Sequence, residues 1–279
     1  MAQPTPDRYA VVGHPISHSR SPVIHRLFAR QTGDHISYEA IDAEPVNFET
    51  AVRGFAAAGG RGLNITVPHK EAAFALADTH GPEASRAGAV NTISFTPDGR
   101  IHGDNTDGIG LVRDLLVNLN FPLGGRRILI LGAGGATRGI LGPLLDEAPD
   151  AIVIANRTLE RAQALQALFD DERLSVCRFD DLVDAEPFDL ILNATSAGLR
   201  GEQPPFPPSS VNGAGLCYDL AYSLKPTPFT AWAREQGAER VVQGWGMLIE
   251  QAAESFRIWR GVRPNTAEIL EQLSAQTAA

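Results

Sequence analysis

Two stretches of the sequence decide the fold: Ile128-Leu-Ile-Leu-Gly-Ala-Gly-Gly-Ala-Thr137 and Ala151-Ile-Val-Ile-Ala-Asn-Arg-Thr158. Each begins with an apolar run that predicts a buried strand. The first run ends in a glycine turn that opens a helix, and such a turn directs backbone N–H groups and the positive end of a helix dipole toward a diphosphate. Together the two stretches predict a doubly wound parallel sheet with a dinucleotide site.

The glycine turn matches the dinucleotide fingerprint at Gly132 and Gly134, whereas its third position is Thr137 instead of glycine. A plain structural turn is the alternative, but the strand before, the helix after and the next strand all fall at suitable distances. The residues that we expect to approach the cofactor here are Gly132, Ala133, Gly134, Gly135 and Ala136.

The second strand ends in Asn156 and Arg157 and not in the acidic residue that binds an unmodified ribose. Arg161 shares a face with Arg157 on a helix that Thr158 can cap. Arginine binds phosphate with two hydrogen bonds and stacks on adenine. Two solvated surface arginines are the alternative, but after a glycine turn the pattern favours the 2′-phosphate of NADP.

The 279-residue chain is long enough for two domains, and its formal net charge of −9 argues against nucleic acid or an anionic membrane as partner. No apolar stretch reaches the roughly 20 residues that span a bilayer, and the first residues lack a secretory signal. Cys177 and Cys217 have no Cys or His at ligand spacing. We therefore expect buried thiols in a reducing cytoplasm.

The segment from Gly13 to Pro22 places Ser19 and Ser21 just before a predicted helix, where hydroxyls and N–H groups suit a carboxylate. Simple N-capping is the alternative. Metal binding by His14 and His18 is disfavoured because proline separates them and no acidic residue or cysteine lies nearby.

Two further segments carry charged residues at predicted helix starts. Asn64 and Thr66 share one face of a predicted strand over 63–67, and Lys70 then begins a helix, where a cation opposes the helix dipole. This unfavourable placement suggests a functional reason, although an exposed lysine is the alternative. Thr106 or Asp107 caps a helix predicted to run to about residue 118, and capping alone could explain it.

The sequence resembles the shikimate dehydrogenase family over residues 9 to about 272. The motifs that carry the resemblance are Ser-Arg-Ser-Pro (19–22), Asn-Ile-Thr-Val-Pro-His-Lys (64–70), Ala-Gly-Ala-Val-Asn-Thr (87–92), Gly-Asp-Asn-Thr-Asp-Gly (103–108), Gly-Ala-Gly-Gly-Ala (132–136), Asn-Arg-Thr (156–158), Asn-Ala-Thr (193–195) and Gly-Met-Leu-Ile-Glu-Gln (246–251).

The resemblance implies two α/β domains with an active site in the cleft between them. A substrate domain would comprise residues 1–106 and 244–279, and a Rossmann-like NADP domain residues 107–243. The implied reaction is reversible reduction of 3-dehydroshikimate to shikimate with NADPH, in the pathway to chorismate and the aromatic amino acids. The resemblance leaves a homodimer open.

By the same resemblance, Lys70 and Asp107 are the catalytic pair. The implied substrate contacts are Ser19, Ser21 and Tyr222 to the carboxylate, and Thr66, Asn91 and Gln251 to the ring hydroxyls. The implied cofactor contacts beyond the glycine turn are Asn156, Arg157, Thr158, Arg161, Thr195, Gly244 and Met247.

Two alternatives stay open at this point. A quinate/shikimate dehydrogenase of broader specificity is disfavoured by Asn156 and Arg157, since relatives using NAD tend to carry an acidic residue there. A non-catalytic ligand-binding regulator is disfavoured by the intact Lys70 and Asp107. Ser17 and Trp245 depart from the family pattern and could alter substrate tolerance.

Overall fold

The computed structural model describes residues 5–195, 207 and 215–277. The chain divides into two compact units. Unit 1 comprises the residues up to Gly110 together with Ile249–Gln272, and unit 2 comprises Leu111–Leu248 and the residues from Leu273. The main divisions therefore lie a few residues beyond the expected 106 and 243, because in each case a helix runs through the division.

Unit 1 contains a six-stranded mixed sheet in the order β2-β1-β3-β5-β6-β4. Its strands are β1 (Asp7–Gly13), β2 (Ile36–Asp42), β3 (Gly60–Ile65), β4 (Thr79–His80), β5 (Thr92–Phe95) and β6 (Ile101–Asp104). The β1, β2 and β3 strands pair in parallel, whereas β5 is antiparallel to both of its neighbours.

Unit 2 contains a six-stranded sheet, all parallel, in the order β12-β11-β10-β7-β8-β9. Its strands are β7 (Arg127–Leu131), β8 (Ala151–Ala155), β9 (Leu174–Cys177), β10 (Leu190–Asn193), β11 (Leu216–Asp219) and β12 (Val241–Gln243). This is the strand order of a dinucleotide-binding doubly wound sheet, so the predicted fold is confirmed. The central strands β7, β8 and β10 are largely apolar because their alternate side chains pack into two separate hydrophobic clusters, one on each face of the sheet.

The helices, in chain order, are α1 (Ser21–Thr32), α2 (Phe48–Ala57), α3 (Lys70–Leu76), α4 (Pro82–Ala87), α5 (Asp107–Arg113), α6 (Gly135–Asp146), α7 (Leu159–Phe169), α8 (Pro228–Glu235), α9 (Trp245–Arg260) and α10 (Ala267–Thr277). Helix α5 continues as a π-helical turn over Asp114–Asn118. None of the helices in the described ranges is long and apolar enough to cross a bilayer.

The structure corrects several local predictions. Strand β3 ends at Ile65, two residues before the predicted end, so Thr66 follows the strand instead of lying in it. The short elements β4 and α4 had no predicted counterpart, because β4 is a two-residue strand and α4 spans less than two helical turns.

One histidine is buried in an aromatic cluster of unit 1. His25 is fully buried on α1 and stacks on Tyr38 with ring centroids 4.2 Å apart. Neither ring nitrogen has a hydrogen-bond partner among the described residues. Burial penalises the imidazolium and lowers the pKa of His25 from 6.5 to about 3.

This histidine should make the protein sensitive to acid. The unfolded chain binds a proton at His25 near pH 6.5, and the folded chain binds one only near pH 3. The stability associated with neutral His25 is therefore fully present above pH 6.5 and is lost as the pH falls toward 3. We expect the free energy of unfolding to lose about 3 kcal/mol from this group between pH 6.5 and 4.

Denaturant unfolding of His25→Leu and His25→Phe across this pH range tests the expectation. Both variants should show a shallower loss of stability on acidification than the parent protein. His35→Gln, at an exposed position, is the control and should leave the pH dependence unchanged. Parallel curves for the parent and both His25 variants would contradict the expectation.

Candidate active site

Unit 1 contains an ion pair between the starts of two helices. Lys70 begins α3 and Asp107 begins α5, and Lys70 Nζ donates to Asp107 Oδ2 over 2.5 Å. The side chains are 14% and 6% exposed, so the pair is shielded from bulk water without being sealed off. A charge pair in this setting interacts more strongly than one on an open surface. It offers an ammonium and a carboxylate at one point.

The carboxylate of this pair is fixed from its other side. Asn91 Nδ2 donates to Asp107 Oδ1 over 2.9 Å, and the Asn91 side chain is buried. The same amide contacts Thr106, whose backbone N–H donates to Asn91 Oδ1 over 2.9 Å. Asn91 thereby connects the segment before β5 to the start of α5.

The start of α5 agrees with the prediction in its position but not in its side-chain hydrogen bonds. Asn105 Oδ1 accepts from the backbone N–H of Asp107 over 3.1 Å. Thr106 instead directs its hydroxyl to Asn91 and Ser255. Thr106 therefore lies at the predicted N-cap position, where its carbonyl accepts from the Gly110 N–H over 2.9 Å. Its hydroxyl, however, contacts side chains that are distant in sequence, and Asp107 pairs with Lys70.

Gln251 reaches the same cluster from α9. Its Oε1 accepts from Asn91 Nδ2 over 3.3 Å. A Cβ on Gly110 of α5 would lie 2.6 Å from the Gln251 Cβ, so the two helices touch here through a glycine.

Thr66, half-buried, follows β3 and donates its backbone N–H to the carbonyl of Val12.

Asn64 was grouped with Thr66 by strand alternation, but the structure gives it a different role. Its amide donates to Ser255 on α9 over 2.9 Å and its oxygen accepts from Tyr38 over 2.7 Å. Asn64 is buried and ties β3 to the C-terminal part of unit 1. Asn64 therefore contacts the cluster around Asp107 only indirectly, through Ser255, which also contacts Thr106.

The two serines lie at the start of α1. Ser21 is buried and Ser19 half-buried, and Ser19 Oγ accepts from the Ser21 backbone N–H over 3.3 Å. The N-cap residue Arg20 makes no side-chain cap bond, and Ser19 serves the first N–H of the helix instead, so local capping accounts for Ser19 but not for the Ser21 hydroxyl. His14, considered as a metal ligand, pairs instead with Asp42, Nδ1 to Oδ1 over 2.6 Å.

His69, which the sequence did not explain, anchors the start of α3. It is buried, its Nε2 lies 2.7 Å from the carbonyl oxygen of Ala43, and its ring stacks on Phe48 at 4.6 Å. These contacts fix the backbone immediately before Lys70. A histidine directly before the lysine predicted to be catalytic was the only sequence signal for this role.

The glycine turn of unit 2 has the geometry of an anion site. Gly132 has φ +104°, and its added Cβ would lie 3.2 Å from the backbone of Ala194. Helix α6 begins at Gly135 with no side-chain cap at Gly134, and a Cβ placed on Gly134 would have no atom of the described residues within 4 Å. The Thr137 hydroxyl donates inward to the Gly132 carbonyl over 2.7 Å. None of the described residues therefore blocks the N-terminus of α6, where a diphosphate can bind.

The end of β8 carries two free cations. Arg157 and Arg161 are exposed, and within the described part of the chain neither forms an ion pair. Asn156 Nδ2 donates to the Thr158 carbonyl over 2.7 Å, which closes the turn into α7. Unpaired guanidinium groups beside the carboxyl end of a strand suit a ribose 2′-phosphate, so these residues fit NADP.

A buried carboxylate organises the ends of β10 and β11. Asp219 accepts from Asn193 over 3.0 Å and from Thr227 over 2.5 Å, and burial raises its pKa to about 6. Asn193 in turn accepts from the hydroxyl of Thr195 over 2.7 Å. The backbone N–H of Ala221 also donates to Asp219. Residues 196–198 of the Asn193 motif lie outside the described residues. No local sequence pattern pointed to Asp219.

Tyr222, Gly244 and Met247 also lie in unit 2. The Tyr222 ring lies 4.8 Å from that of Trp245, which begins α9. A Cβ on Gly244 would lie 2.3 Å from the carbonyl oxygen of Leu220, so only glycine fits there. Met247 is buried in the first turn of α9.

Three family models match the chain. A shikimate dehydrogenase substrate binding domain matches residues 11–93, a shikimate / quinate 5-dehydrogenase model matches residues 116–200, and a shikimate 5′-dehydrogenase C-terminal domain matches residues 244–273.

Curated and solved proteins agree with these matches. A shikimate dehydrogenase (NADP(+)) of Alkalilimnicola ehrlichii is 58% identical over 268 residues, 96% of this chain and 98% of the relative. The crystal structure of an Ael1 enzyme from Pseudomonas putida has a TM-score of 0.88 at 48% identity, covering 96% and 98% of the two chains. Shikimate 5-dehydrogenase from Thermus thermophilus, in complex with NADP(H) and shikimate, has a TM-score of 0.84 at 35% identity, covering 97% and 99%.

Proposed function

The chain belongs to the shikimate dehydrogenase family and catalyses the NADP-dependent interconversion of 3-dehydroshikimate and shikimate, and we propose that Lys70 and Asp107 are its acid–base pair. The observation that carries this proposal is the shielded 2.5 Å hydrogen bond between Lys70 Nζ and Asp107 Oδ2. The pair can hold a proton beside the substrate and move it at a defined atom.

The mechanism follows from where charge develops. When bound, NADPH would provide the hydride for the C3 carbonyl carbon of 3-dehydroshikimate. As negative charge grows on the C3 oxygen, Lys70 stabilises it and donates the proton. Asp107 orients the ammonium, and Asn91 fixes Asp107. In the reverse direction the pair accepts the proton of the C3 hydroxyl.

The remaining polar groups of unit 1 are proposed to bind and orient the substrate. Ser19 and Ser21 present hydroxyls at the start of α1, where the helix dipole favours a carboxylate. Thr66, Asn91 and Gln251 would contact the ring hydroxyls. Tyr222 of unit 2 would add a further hydroxyl to the substrate carboxylate.

The cofactor contacts are proposed for unit 2. The diphosphate would lie against the N-terminus of α6, and Thr195 would lie beside it. The groups assigned to the adenosine 2′-phosphate are Asn156, Arg157, Thr158 and Arg161. Gly244 and Met247 would border the nicotinamide.

We also infer a cytoplasmic location. Cys177 and Cys217 are free, and burial raises their pKa values to about 11 and about 12. Two unpaired thiols are typical of a reducing compartment.

Association into a homodimer is a further proposal, which sedimentation of the purified protein would test.

Initial-rate assays test the proposed substrate and cofactor preference. We expect purified protein with shikimate and NADP to show growth of the reduced-nicotinamide absorbance band. When quinate replaces shikimate, or NAD replaces NADP, kcat/KM should be much lower. Absence of turnover in both directions would refute the function, whereas a quinate rate comparable to the shikimate rate would show broader specificity.

A further inference from the structure

A buried hydrogen-bonded chain in unit 2 leads to the first turn of α9. Tyr218 at β11 is fully buried and donates its hydroxyl to Asp114 Oδ2 over 2.7 Å. The same phenolic oxygen accepts from the backbone N–H of Met247 over 3.2 Å. Asp114, itself buried, also accepts from Asn118 over 2.9 Å. The chain therefore runs from a carboxylate through a phenol to a helix backbone.

The hydrogen bond between Met247 and Tyr218 lies in the first turn of α9, where backbone N–H groups need acceptors from outside the helix. The first N–H groups of an α-helix have no acceptor within the helix, and Met247 is the third residue of α9. Tyr218 supplies that acceptor from β11, and the Asp114 carboxyl group lies near the positive end of the helix dipole. Burial and the nearby Asp114 carboxylate raise the pKa of Tyr218, which keeps its hydroxyl protonated and able to donate.

The packing leaves no slack at this point. A Cβ on Gly246 would lie within 2.3 Å of three atoms of the Asp114 carboxyl group. Gly244, two residues earlier, is pressed against the carbonyl of Leu220, and its N–H donates to the Ala221 carbonyl over 3.0 Å. The segment from Gly244 to Met247 is thus held from two sides.

We propose that Asp114 and Tyr218 are positioning residues for the nicotinamide end of the cofactor site. They act through the protein backbone and not by touching cofactor or substrate. They fix the backbone of Met247 and its neighbour Gly246, while Leu220 and Ala221 hold Gly244, so that Gly244 and Met247 form a fixed wall against which the nicotinamide lies. This inference rests on the proposed function, in which those two residues border the nicotinamide.

Tyr218→Phe and Asp114→Asn test the inference. Tyr218→Phe removes the phenolic oxygen, and Asp114→Asn leaves one acceptor oxygen where two carboxylate oxygens now accept from Tyr218 and Asn118, so each variant weakens the chain with little change in shape. A lost hydrogen bond of this kind corresponds to about 3- to 10-fold in an equilibrium. We expect kcat to fall about 10-fold with the shikimate KM nearly unchanged. NADP affinity, measured by calorimetry, should weaken about 3- to 10-fold, whereas affinity for adenosine 2′,5′-bisphosphate, which lacks the nicotinamide half, should not change.

Two further measurements separate positioning from stability. The primary isotope effect with 4-deuterated NADPH should rise in both variants, and the double variant should be no slower than the slower single variant, because both act through one chain. Tyr9→Phe is the matched control. It also removes the hydroxyl of a buried tyrosine, but in unit 1, and it should leave all kinetic and binding values unchanged.

The outcomes are distinguishable. Unchanged kcat, isotope effect and NADP affinity in both variants, with only a lower melting temperature, would show a purely structural role and overturn the inference. Equal weakening of NADP and the bisphosphate would also overturn it, since the effect would not be confined to the nicotinamide end. Failure of the parent protein to bind NADP or turn over shikimate would refute the proposed function itself.

Discussion

Replacing Lys70 by alanine should lower kcat by at least about 10²-fold, the scale of a positioned acid–base group, while substrate binding changes much less. Lys70 Nζ is the proton carrier in the proposed mechanism and lies 2.5 Å from Asp107 Oδ2. The loss should therefore appear in the transition state and not in the ground state. Steady-state kinetics in both directions, with shikimate affinity measured separately, would resolve kcat from binding.

The variant also leaves a buried carboxylate without its cation, so folding must be checked. Asp107 is 6% exposed, and removing one partner of such a pair destabilises a protein. Thermal unfolding would show whether the variant is folded at the assay temperature. Glu71→Ala alters the next residue of α3, which is exposed, and should retain full activity.

Asp107→Asn tests whether the two residues act as one unit. If they do, the double variant should be about as slow as Lys70→Ala alone, because effects within a catalytic unit are not additive. Lys70→Arg keeps the charge but holds its proton much more firmly, and it should recover little of the rate. Full activity of Lys70→Ala would remove the lysine from the mechanism.

The fold of unit 2 could be predicted because its signals are local. The strand of Ile128–Leu131, the turn at Gly132 and the cations at Arg157 are contiguous segments whose residue types point to one geometry. The parallel order of the six strands then follows from alternation of strands and helices. In unit 1 the short β4 and α4 carry too few residues for a periodic pattern.

The site was harder to predict where its contacts join distant parts of the chain. Strand alternation placed Asn64 beside Thr66, but Asn64 binds Ser255, 191 residues away, and is buried. The capping rule selected Thr106, yet that hydroxyl is taken by side chains that only the fold brings near. Local rules describe the element, whereas tertiary hydrogen bonds decide which side chain is available to a ligand.

Replacing Arg157 and Arg161 together by alanine should reduce the preference for NADP over NAD. Each charge-assisted hydrogen bond to a phosphate contributes about 1.5–3 kcal/mol when made to a charged group, which corresponds to about 10- to 100-fold per arginine. Because solvent screens these exposed guanidinium groups, the contribution of each arginine should lie in the lower part of that range. We therefore expect kcat/KM for NADP to fall about 10²-fold in the double variant, with kcat/KM for NAD nearly unaltered.

The measurement is a comparison of kcat/KM for NADP and NAD at low and raised ionic strength. The parent protein should lose its preference for NADP as salt increases, and the double variant should show a much weaker salt effect. Arg234→Ala removes one exposed cation from α8, away from the end of β8, and should change neither cofactor's kinetics. Equal weakening of NADP and NAD would contradict the 2′-phosphate assignment, because NAD has no phosphate at that position.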